Sequence, residues 1–497
     1  MSMKNKTLAV LTSAFSLCLL GCEGDSTGSK NKGGASKDIV DSTGSKNEAD
    51  ESKGVIAYTP QTLSNPFFTV IGNHMREEAA KAGWGAEDDA AVTKLYAREA
   101  GLRLLTAILA IAVLGVSVYS HYKDFALVLR QNRELRYLVN PSYPLYAAVE
   151  AFTQTAEAAN RPIESLGVDA RRPSPAGTPR RVVIVVVGET ARAANFSLDG
   201  YARPTNPRLA RRDLVNFTRF SSCGTSTSVS VPCMFSRQNR HDYDAGEARY
   251  TEGLLDVLAH AGVNVLWRDN NSGCKGVCAR VPSEDLSHAD DPALCNDEEC
   301  FDEILLRGLN ERIAATQGDL LVVLHQKGSH GPEYYKRYPQ RFARFRPVCE
   351  SNQPQDCDRQ AIVNAYDNSI LYTDAVLDDA IALLARDARQ RNDATALFYV
   401  SDHGESLGEE GLYLHGFPYA LAPSYQTHVP ALAWLSPGFG LPAGCLAGLE
   451  DNDYSQDNLF DTVLGLFSVQ TQVYRPQEDI FRPCRPPVGE NRQPAHG

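Results

Sequence analysis

Three short apolar runs in the second half of the chain predict strands that are buried on both faces. Residues 182–187 form a continuous run of valine and isoleucine, and residues 320–324 and 396–400 are similarly apolar. Runs of this length and composition are typical of parallel strands covered by helices on both sides. The pattern therefore predicts an α/β domain with a doubly wound sheet at residues 180–484, followed by a tail at 485–497.

Acidic and histidine side chains follow these three runs. Glu189 lies just after the first run, His330 lies in the segment after the second, and Asp402 and His403 follow the third. The carboxyl ends of parallel strands meet at one edge of a doubly wound sheet, so we expect these side chains to converge. Because carboxylate oxygen and imidazole nitrogen together suit zinc, the sequence predicts a metal site there.

The start of the chain has the pattern of an export signal. A lysine-containing start precedes an apolar stretch at 8–20, and the Leu-Leu-Gly-Cys sequence ending at Cys22 resembles a bacterial lipobox. This resemblance implies a lipoprotein-type signal at 1–22 and lipid on the Cys22 sulfur. Residues 23–53 are rich in Gly, Ser, Lys and Asp and contain DSTGSKN twice, which predicts a disordered tether.

Residues 54–99 predict a separate short head. Their first part resembles the opening strand and helix of periplasmic sugar-binding proteins, but the pattern stops near Gly85. A complete two-lobed binding protein needs many further alternating strands and helices. The head is therefore predicted to be an isolated fragment of that fold.

A second apolar run at 104–119 predicts a helix over residues 100–121 that crosses the membrane or lies on it. Basic residues within 94–103 precede the run and favour the cytoplasmic side, whereas the export signal would carry them outward. The export signal and the basic residues before the apolar run therefore place residues 94–103 on opposite sides of the membrane, and the two signals cannot both operate. We favour a joined chain, in which the first hundred residues were fused to a protein that had other helices there, with an interfacial helix as the alternative. Residues 122–179 are predicted to form a connector.

Composition and charge narrow the set of possible functions and cellular compartments. The formal net charge is −12 and no Lys/Arg block stands out, so we predict no nucleic-acid partner.

Twelve cysteines, mostly in the second half, indicate an oxidising compartment. Close spacing favours disulfides over a zinc knuckle, although Cys274 and Cys278 alone are ambiguous. The predicted pairs are Cys223/Cys233, Cys274/Cys278, Cys295/Cys300 and Cys349/Cys357, with Cys445/Cys484 as a possible fifth.

A segment rich in serine and threonine, residues 223–233, lies between the first two strands. A hydroxyl at a helix N-terminus beside a metal has what a nucleophile needs, because the cation lowers its pKa and the backbone N–H groups bind an anion. Taken by itself, the segment is more typical of a helix cap in a loop rich in serine and threonine. Its interpretation depends on the other motifs.

Five motifs in the second part of the chain occur in a recognisable order. They are Gly-Glu-Thr-Ala-Arg (188–192), Cys-Gly-Thr-Ser-Thr (223–227), Asp-Asn-Asn-Ser-Gly-Cys (269–274), Gly-Ser-His-Gly-Pro (328–332) and Ser-Asp-His-Gly-Glu-Ser-Leu-Gly (401–408). Together they resemble the motifs of the bacterial phosphoethanolamine–lipid A transferases, a family that includes the mobile colistin-resistance enzymes, and the resemblance runs over about residues 123–467. It implies an alkaline-phosphatase/sulfatase-like fold, zinc, a catalytic domain in the periplasm anchored at the bacterial inner membrane, and polymyxin resistance.

The resemblance assigns roles to individual residues. Thr227 is implied to be the nucleophile that receives phosphoethanolamine from phosphatidylethanolamine and passes it to a lipid A phosphate. Glu189, Asp402 and His403 are implied to bind the catalytic zinc, with the Thr227 oxygen as the fourth ligand. The zinc would neutralise charge on the transferring group.

Further residues are implied to contact the substrate. His330 and His415 match histidines that hold the donor phosphate or a further zinc, and either is a candidate general acid. Asn271, Ser272 and Lys275 are candidates for binding the phosphate or the ethanolamine end.

Three alternatives remain. Residues 404–408 match the Gly-x-Ser-x-Gly elbow of esterases, but Asp402 and His403 already occupy that strand end. A sulfatase would need a proline that residues 233–237 lack. A non-catalytic sugar-binding lipoprotein, or an inactive composite chain, would account for the first 85 residues.

Overall fold

The computed structural model describes most of the second half of the chain and one helix before it. Described are residues 89–121, 161–173 and 177–485, with isolated positions at 77, 81, 143, 144, 146 and 147. Outside the described residues lie the predicted signal with Cys22, the tether, most of the head, most of the connector and residues 486–497 of the tail.

The helix α1 (Asp89–Ser120) contains the predicted apolar run. Its segment Arg98–Val118 has a mean hydropathy of 2.2 and is not buried in the protein, so by length and composition it could cross a membrane. The helix begins at Asp89 rather than at residue 100, because the preceding residues are mostly good helix formers and extend it without being apolar. The predicted boundary between head and helix is therefore not a boundary of secondary structure.

The strands form one large sheet and two small ones. The seven-stranded sheet has the order β2-β10-β7-β1-β6-β4-β5 once the strands are numbered along the chain. The strands are β1 (Arg181–Gly188), β2 (Val215–Phe217), β3 (Arg219–Ser221), β4 (Asn264–Asp269), β5 (Ser283–Asp285), β6 (Leu320–His325), β7 (Ala394–Ser401), β8 (Ser406–Leu407), β9 (Tyr413–Leu414), β10 (Ala431–Leu435) and β11 (Asp453–Ser455).

The centre of the large sheet is parallel, as the apolar runs predict. Strand β1 pairs in parallel with both β6 and β7, and β4 and β5 continue the parallel pairing on the β6 side. At the other edge β10 is antiparallel to β7, and β2 is antiparallel to β10. The predicted α/β sheet is confirmed, with the addition of a short antiparallel edge.

Helices cover both faces of this sheet. Alternate residues of β1 enter two different apolar layers, since successive strand side chains point to opposite faces. Within residues 177–485 the α-helices are α2 (Thr227–Met234), α3 (Ala245–Ala248), α4 (Leu254–His260), α5 (Leu309–Ala315), α6 (Arg359–Arg391), α7 (Ser424–Thr427), α8 (Ala443–Ala447) and α9 (Leu459–Leu466). Residues of α4 and α9 fill one layer, and residues of α5 and α6 fill the other.

Disulfides join cysteines close in sequence around the loops of this domain, and one closes a longer loop near its end. The structure joins Cys223–Cys233, Cys274–Cys278, Cys295–Cys300, Cys349–Cys357 and Cys445–Cys484. The last pair is the one that the sequence leaves open.

Candidate active site

Two neighbouring strand ends bring the acidic side chains together. Gly188 at the end of β1 lies in register with Ser401 at the end of β7. The backbone N–H of Asp402 donates to the carbonyl of Gly188 at 2.9 Å, so the chain leaves both strands side by side. Glu189 and Asp402 are the next residues on the two strands, and both are buried.

A histidine and a threonine complete the cluster. Thr227, the first residue of α2, donates from Oγ1 to Glu189 Oε2 at 3.0 Å and lies 3.4 Å from His403 Nε2. His403 Nε2 in turn lies 3.5 Å from Glu189 Oε1 and 3.4 Å from Asp402 Oδ2. One ligand atom from each of Glu189, Asp402 and His403 lies within 4.8 Å of the others. The four residues converge on one small volume.

The hydrogen bonds of this cluster leave its inward atoms free for a cation. Asp402 Oδ1 accepts the backbone N–H groups of Thr190 and His403, whereas the buried Oδ2 has no hydrogen-bond partner among the described residues. His403 Nδ1 lies 2.9 Å from the Gly404 carbonyl, a contact that requires the proton on Nδ1. In the neutral imidazole, Nε2 then presents its lone pair to two carboxylates, whereas in the absence of a cation the same carboxylates raise the pKa of His403 against the effect of burial. Lone pairs and negative charges facing one another fit a bound cation.

Burial and the neighbouring charges shift the pKa values of the two carboxyl groups in opposite directions. Burial favours protonation of Glu189, but His403, His330 and the Thr190 hydroxyl outweigh it and lower the pKa of Glu189. Burial, followed by repulsion from Glu189, raises the pKa of Asp402 to about 7. Two neighbouring buried carboxylates therefore resist being ionised together without a cation.

Backbone geometry holds Glu189 in position. Thr190 has a φ of 59°, a left-handed conformation that is rare for a residue with a β-branched side chain. The loop after β6 approaches Glu189 so closely that a Cβ on Gly328 would lie 2.5 Å from the Glu189 carbonyl oxygen. The N–H of Ser329 donates to the same carbonyl at 2.9 Å. Glycine is required in the Gly-Ser-His motif for this contact.

The two further histidines lie at the same place. The ring centroids of His403 and His415 are 4.2 Å apart, and those of His415 and His330 are 5.8 Å apart. His415 Nδ1 lies 3.4 Å from the buried carboxylate of Glu405. Burial lowers the pKa of His330 to about 3, against the attraction of Glu189. The three histidines form a row that starts at His403.

Of the three other substrate-contact candidates, one reaches the cluster directly. Asn271 Nδ2 donates to Glu189 Oε2 at 2.7 Å and to the carbonyl of Gln326 at 2.8 Å. Lys275 Nζ donates to the Ser272 carbonyl at 2.7 Å and to its hydroxyl at 2.6 Å. Asn271 thus lies at the cluster, whereas Ser272 and Lys275 lie one step outward along the same loop.

Two buried glutamines hold the loops of the site, and the sequence contains no signal for either. Gln456 Nε2 donates to the carbonyls of Ser401 and Asp402, and its Oε1 accepts the N–H of Cys223. Gln426 Nε2 donates to the hydroxyl of Ser406 and to the carbonyl of Leu414, the residue before His415. Each glutamine connects segments that are far apart in the chain.

Comparison with known proteins gives consistent matches. A family model described as Sulfatase matches residues 181–469, and one described as Phosphoethanolamine transferase EptA/EptB matches residues 91–156. The second match includes most of α1 and reaches into residues 54–99, which the sequence predicts as a sugar-binding-type head. Similarity to the transferases therefore begins well before residue 123.

Individual relatives agree with the family models. The chain is 45% identical over 391 residues to the phosphoethanolamine transferase EptA of Salmonella typhimurium. The aligned region covers 77% of this chain and 71% of that protein. It is 42% identical over 395 residues to the phosphatidylethanolamine transferase Mcr-1 of Escherichia coli, and this aligned region also covers 77% of this chain and 71% of that protein.

A solved structure extends the match to three dimensions. The integral membrane protein lipooligosaccharide phosphoethanolamine transferase A from Neisseria meningitidis is 42% identical, with a TM-score of 0.67 over 79% of this chain and 74% of that one. These matches favour the transferase interpretation over the sugar-binding and esterase alternatives. The chain belongs to the phosphoethanolamine transferases, with the alkaline-phosphatase/sulfatase-like fold that its motifs imply.

Proposed function

We propose that this chain moves phosphoethanolamine from phosphatidylethanolamine to a phosphate of lipid A, with Thr227 as the carrier. The observation that carries the proposal is the convergence of the Thr227 hydroxyl with Glu189, Asp402 and His403. The names of the relatives supply the substrates: one is a phosphatidylethanolamine transferase and another acts on lipooligosaccharide.

We further propose that the cluster binds zinc. Glu189, Asp402 and His403 would hold the ion, with the Thr227 oxygen as the fourth ligand. The unpartnered Asp402 Oδ2 and the lone pair of His403 Nε2 support this assignment, and the set of oxygen and nitrogen ligands suits zinc. When bound, zinc supplies positive charge that favours the threonine alkoxide and the charged phosphoryl oxygens.

In the first half of the proposed reaction, the Thr227 oxygen attacks the phosphorus of phosphatidylethanolamine. The bond from phosphorus to Thr227 Oγ1 forms, and the bond from phosphorus to the glycerol oxygen breaks. Glu189 Oε2 accepts the Thr227 hydroxyl proton along their hydrogen bond. The diacylglycerol oxygen takes a proton from His415, which lies next to His403, because burial lowers the pKa of His330 to about 3 and leaves that imidazole neutral.

In the second half, a phosphate oxygen of the acceptor attacks the same phosphorus. The bond to Thr227 breaks, the threonine oxygen takes back the proton that Glu189 holds, and the histidine regains its proton from the acceptor phosphate or from water. Asn271 donates to Glu189 throughout and keeps that carboxylate aimed at Thr227. Helix α2 begins at Thr227, so its free N–H groups favour the anionic group bound there.

We also propose where the chain works. Helix α1 would cross the inner membrane, and residues 180–484 would lie in the periplasm, where the five disulfides persist. The match to the transferases from residue 91 supports a joined chain, in which residues 1–85 have a different origin. The lipid on Cys22, the tether and the connector stay predictions.

Intact-mass spectrometry of the chain expressed in bacteria tests the proposed function. We expect a phosphoethanolamine adduct on the wild type and none on Thr227→Ala. Ser226→Ala is the matched control, because it removes a neighbouring hydroxyl that makes no cap hydrogen bond and should keep the adduct. An equal adduct on Thr227→Ala would remove Thr227 from its role.

A further inference from the structure

A groove lies beside the nucleophile helix. Its volume is about 490 Å³, and residues Ser228, Pro232 and Phe235 of the α2 segment line one wall. These three positions are spaced by four and then three residues, so they share one face of the helical segment. Leu254 and Val277 belong to the lining as well, which makes much of the wall apolar.

Two connections join the groove to the proposed active site. Ser228 follows Thr227 directly in the chain and is exposed. Lys275, on another part of the lining, donates to Ser272, whose neighbour Asn271 bonds to Glu189. The groove is therefore one residue from the proposed nucleophile on α2 and is linked to Glu189 through the loop of Lys275.

The charged residues of the lining are predominantly cationic. Arg249, Lys275 and Arg280 line the groove, against one acidic residue, Glu252. Arg280 is already paired through two hydrogen bonds with Asp256. Arg249 is exposed and has no acidic partner among the described residues. The groove thus combines apolar contact area with positive charge that its own residues leave uncompensated.

We propose that this groove binds the acceptor, an amphiphile that carries both acyl chains and phosphate groups. This inference rests on the proposed function. An acyl chain lies against the half-buried Pro232 and Val277, and an anionic group of the same molecule is attracted by Arg249 and Lys275. The donor fits less well, because phosphatidylethanolamine is zwitterionic and the diacylglycerol that leaves is neutral. Charge complementarity therefore selects the phosphorylated acceptor.

Separate measurement of the two half-reactions tests the proposal. The full chain in detergent is first incubated with phosphatidylethanolamine alone, and the rate of adduct formation is followed by intact mass. Purified lipid A is then added, and transfer is measured as a function of its concentration. The test variants are Arg249→Glu, which reverses the charge, and Ala279→Trp, which fills the groove from an exposed position of its lining.

We expect both variants to raise the KM for lipid A about tenfold while the adduct forms at the wild-type rate. Arg211→Glu and Ala314→Trp are matched controls at exposed positions outside the groove and should leave both half-reactions unchanged. If adduct formation slows in step with transfer, the groove holds the donor and the proposal is wrong. If neither half-reaction changes in the variants, the groove has no part in binding.

A direct binding measurement separates this proposal from the proposed function. Fluorescent lipid A is titrated into Thr227→Ala protein, which cannot form the adduct, and anisotropy is recorded. Introducing Arg249→Glu into the Thr227→Ala protein should weaken its affinity for lipid A about tenfold. An unchanged affinity would overturn the groove assignment. Failure of the wild type to form any adduct would overturn the proposed function, while the titration would still show whether the groove binds an anionic amphiphile.

Discussion

The side-chain amide of Gln456 donates to the backbone carbonyl of Asp402 at 2.8 Å. Its other N–H donates to the carbonyl of Ser401 at 2.7 Å, and its oxygen accepts the N–H of Cys223 at 2.6 Å. The segment of Cys223 leads into helix α2, which begins at the proposed nucleophile Thr227, whereas Asp402 begins the loop of the proposed metal site. One buried side chain therefore ties the segment of the proposed nucleophile to the loop of the proposed metal ligands.

Replacement of Gln456 by leucine should disturb both stability and metal binding. It leaves the Cys223 N–H and the carbonyls of Ser401 and Asp402 buried without their partner, and each such group costs about 1–3 kcal/mol. We expect the free energy of unfolding to fall by at least about 2 kcal/mol, measured by urea denaturation. Zinc affinity, measured by titration at a temperature where the variant is folded, should fall at least tenfold.

Gln426→Leu is the matched control for that experiment. Gln426 is equally buried and also bridges distant segments, but its contacts are on the His415 side. A similar loss of stability with zinc affinity near the wild-type value is the expected result. An equal loss of zinc affinity in both variants would mean that Gln456 acts through general stability alone.

Substitution of Asp402 by asparagine should separate zinc binding from folding. Without the ion, Glu189 and Asp402 are two buried carboxylates with oxygens within 4.8 Å, and removing one charge relieves their repulsion. We expect the metal-free variant to be at least as stable as the metal-free wild type.

Zinc at 100 times its Kd should raise the free energy of unfolding of the wild type by about 2.7 kcal/mol. This increment should be lost in Asp402→Asn, as measured by thermal unfolding with and without zinc. The exposed Asp213→Asn is the control and should keep the increment. A wild type that gains no stability from zinc would contradict the metal assignment.

The pH dependence of stability should have a component from Asp199. Its Oδ1 accepts a hydrogen bond from Asn216, its Oδ2 has no partner among the described residues, and burial raises its pKa to about 7. The folded protein therefore binds this proton more tightly than the unfolded chain does. The stability from this group is complete below about pH 4 and is lost as the pH rises through 7.

Asp199→Asn should remove that component. We expect the variant and the wild type to be equally stable at pH 4, and the variant to be more stable by about 1–2 kcal/mol at pH 8, after allowance for partial exposure. Unfolding at both pH values measures the difference. Parallel pH profiles for the two proteins would show that the carboxyl is not perturbed.

The disulfides should differ in their effect on stability. Cys445 and Cys484 are 39 residues apart, whereas Cys274 and Cys278 are 4 apart. If constraint of the unfolded chain dominates, replacing the first pair by serines lowers the free energy of unfolding by about 4 kcal/mol and the second by about 2 kcal/mol. Urea denaturation of the two double-serine variants gives both values, and a reversed order would contradict the chain-entropy explanation.

The central sheet could be predicted because its signal is local. The valine-rich run of β1 and the similar runs of β6 and β7 are apolar at every position, and such runs are stable only when both faces are covered. Parallel pairing then places Glu189 and Asp402 at one edge without any knowledge of the helices. The candidate metal cluster follows from the ends of two strands.

Other features could not be predicted, since they depend on contacts between distant segments. Gln456 and Gln426 are single polar residues in no recognisable motif, and their roles appear only once the loops are folded. The antiparallel strands β2 and β10 are three and five residues long, too short for a clear alternation. Helix α1 extends to Asp89 through residues that favour a helix but are not apolar, so an apolar pattern alone places its start too late.

The separation of the ligands along the chain also dictates when the pocket can exist. Thr190 and Asp402 are hydrogen-bonded neighbours, yet 212 residues separate them. At typical translation speeds of 5–20 residues per second, the ribosome needs roughly 10–40 s to synthesise the intervening segment. Throughout that time Glu189 lacks Asp402 and His403, although Thr227 and Asn271 are made earlier. Capture of a cation at the proposed site therefore cannot precede the synthesis of residues 402 and 403.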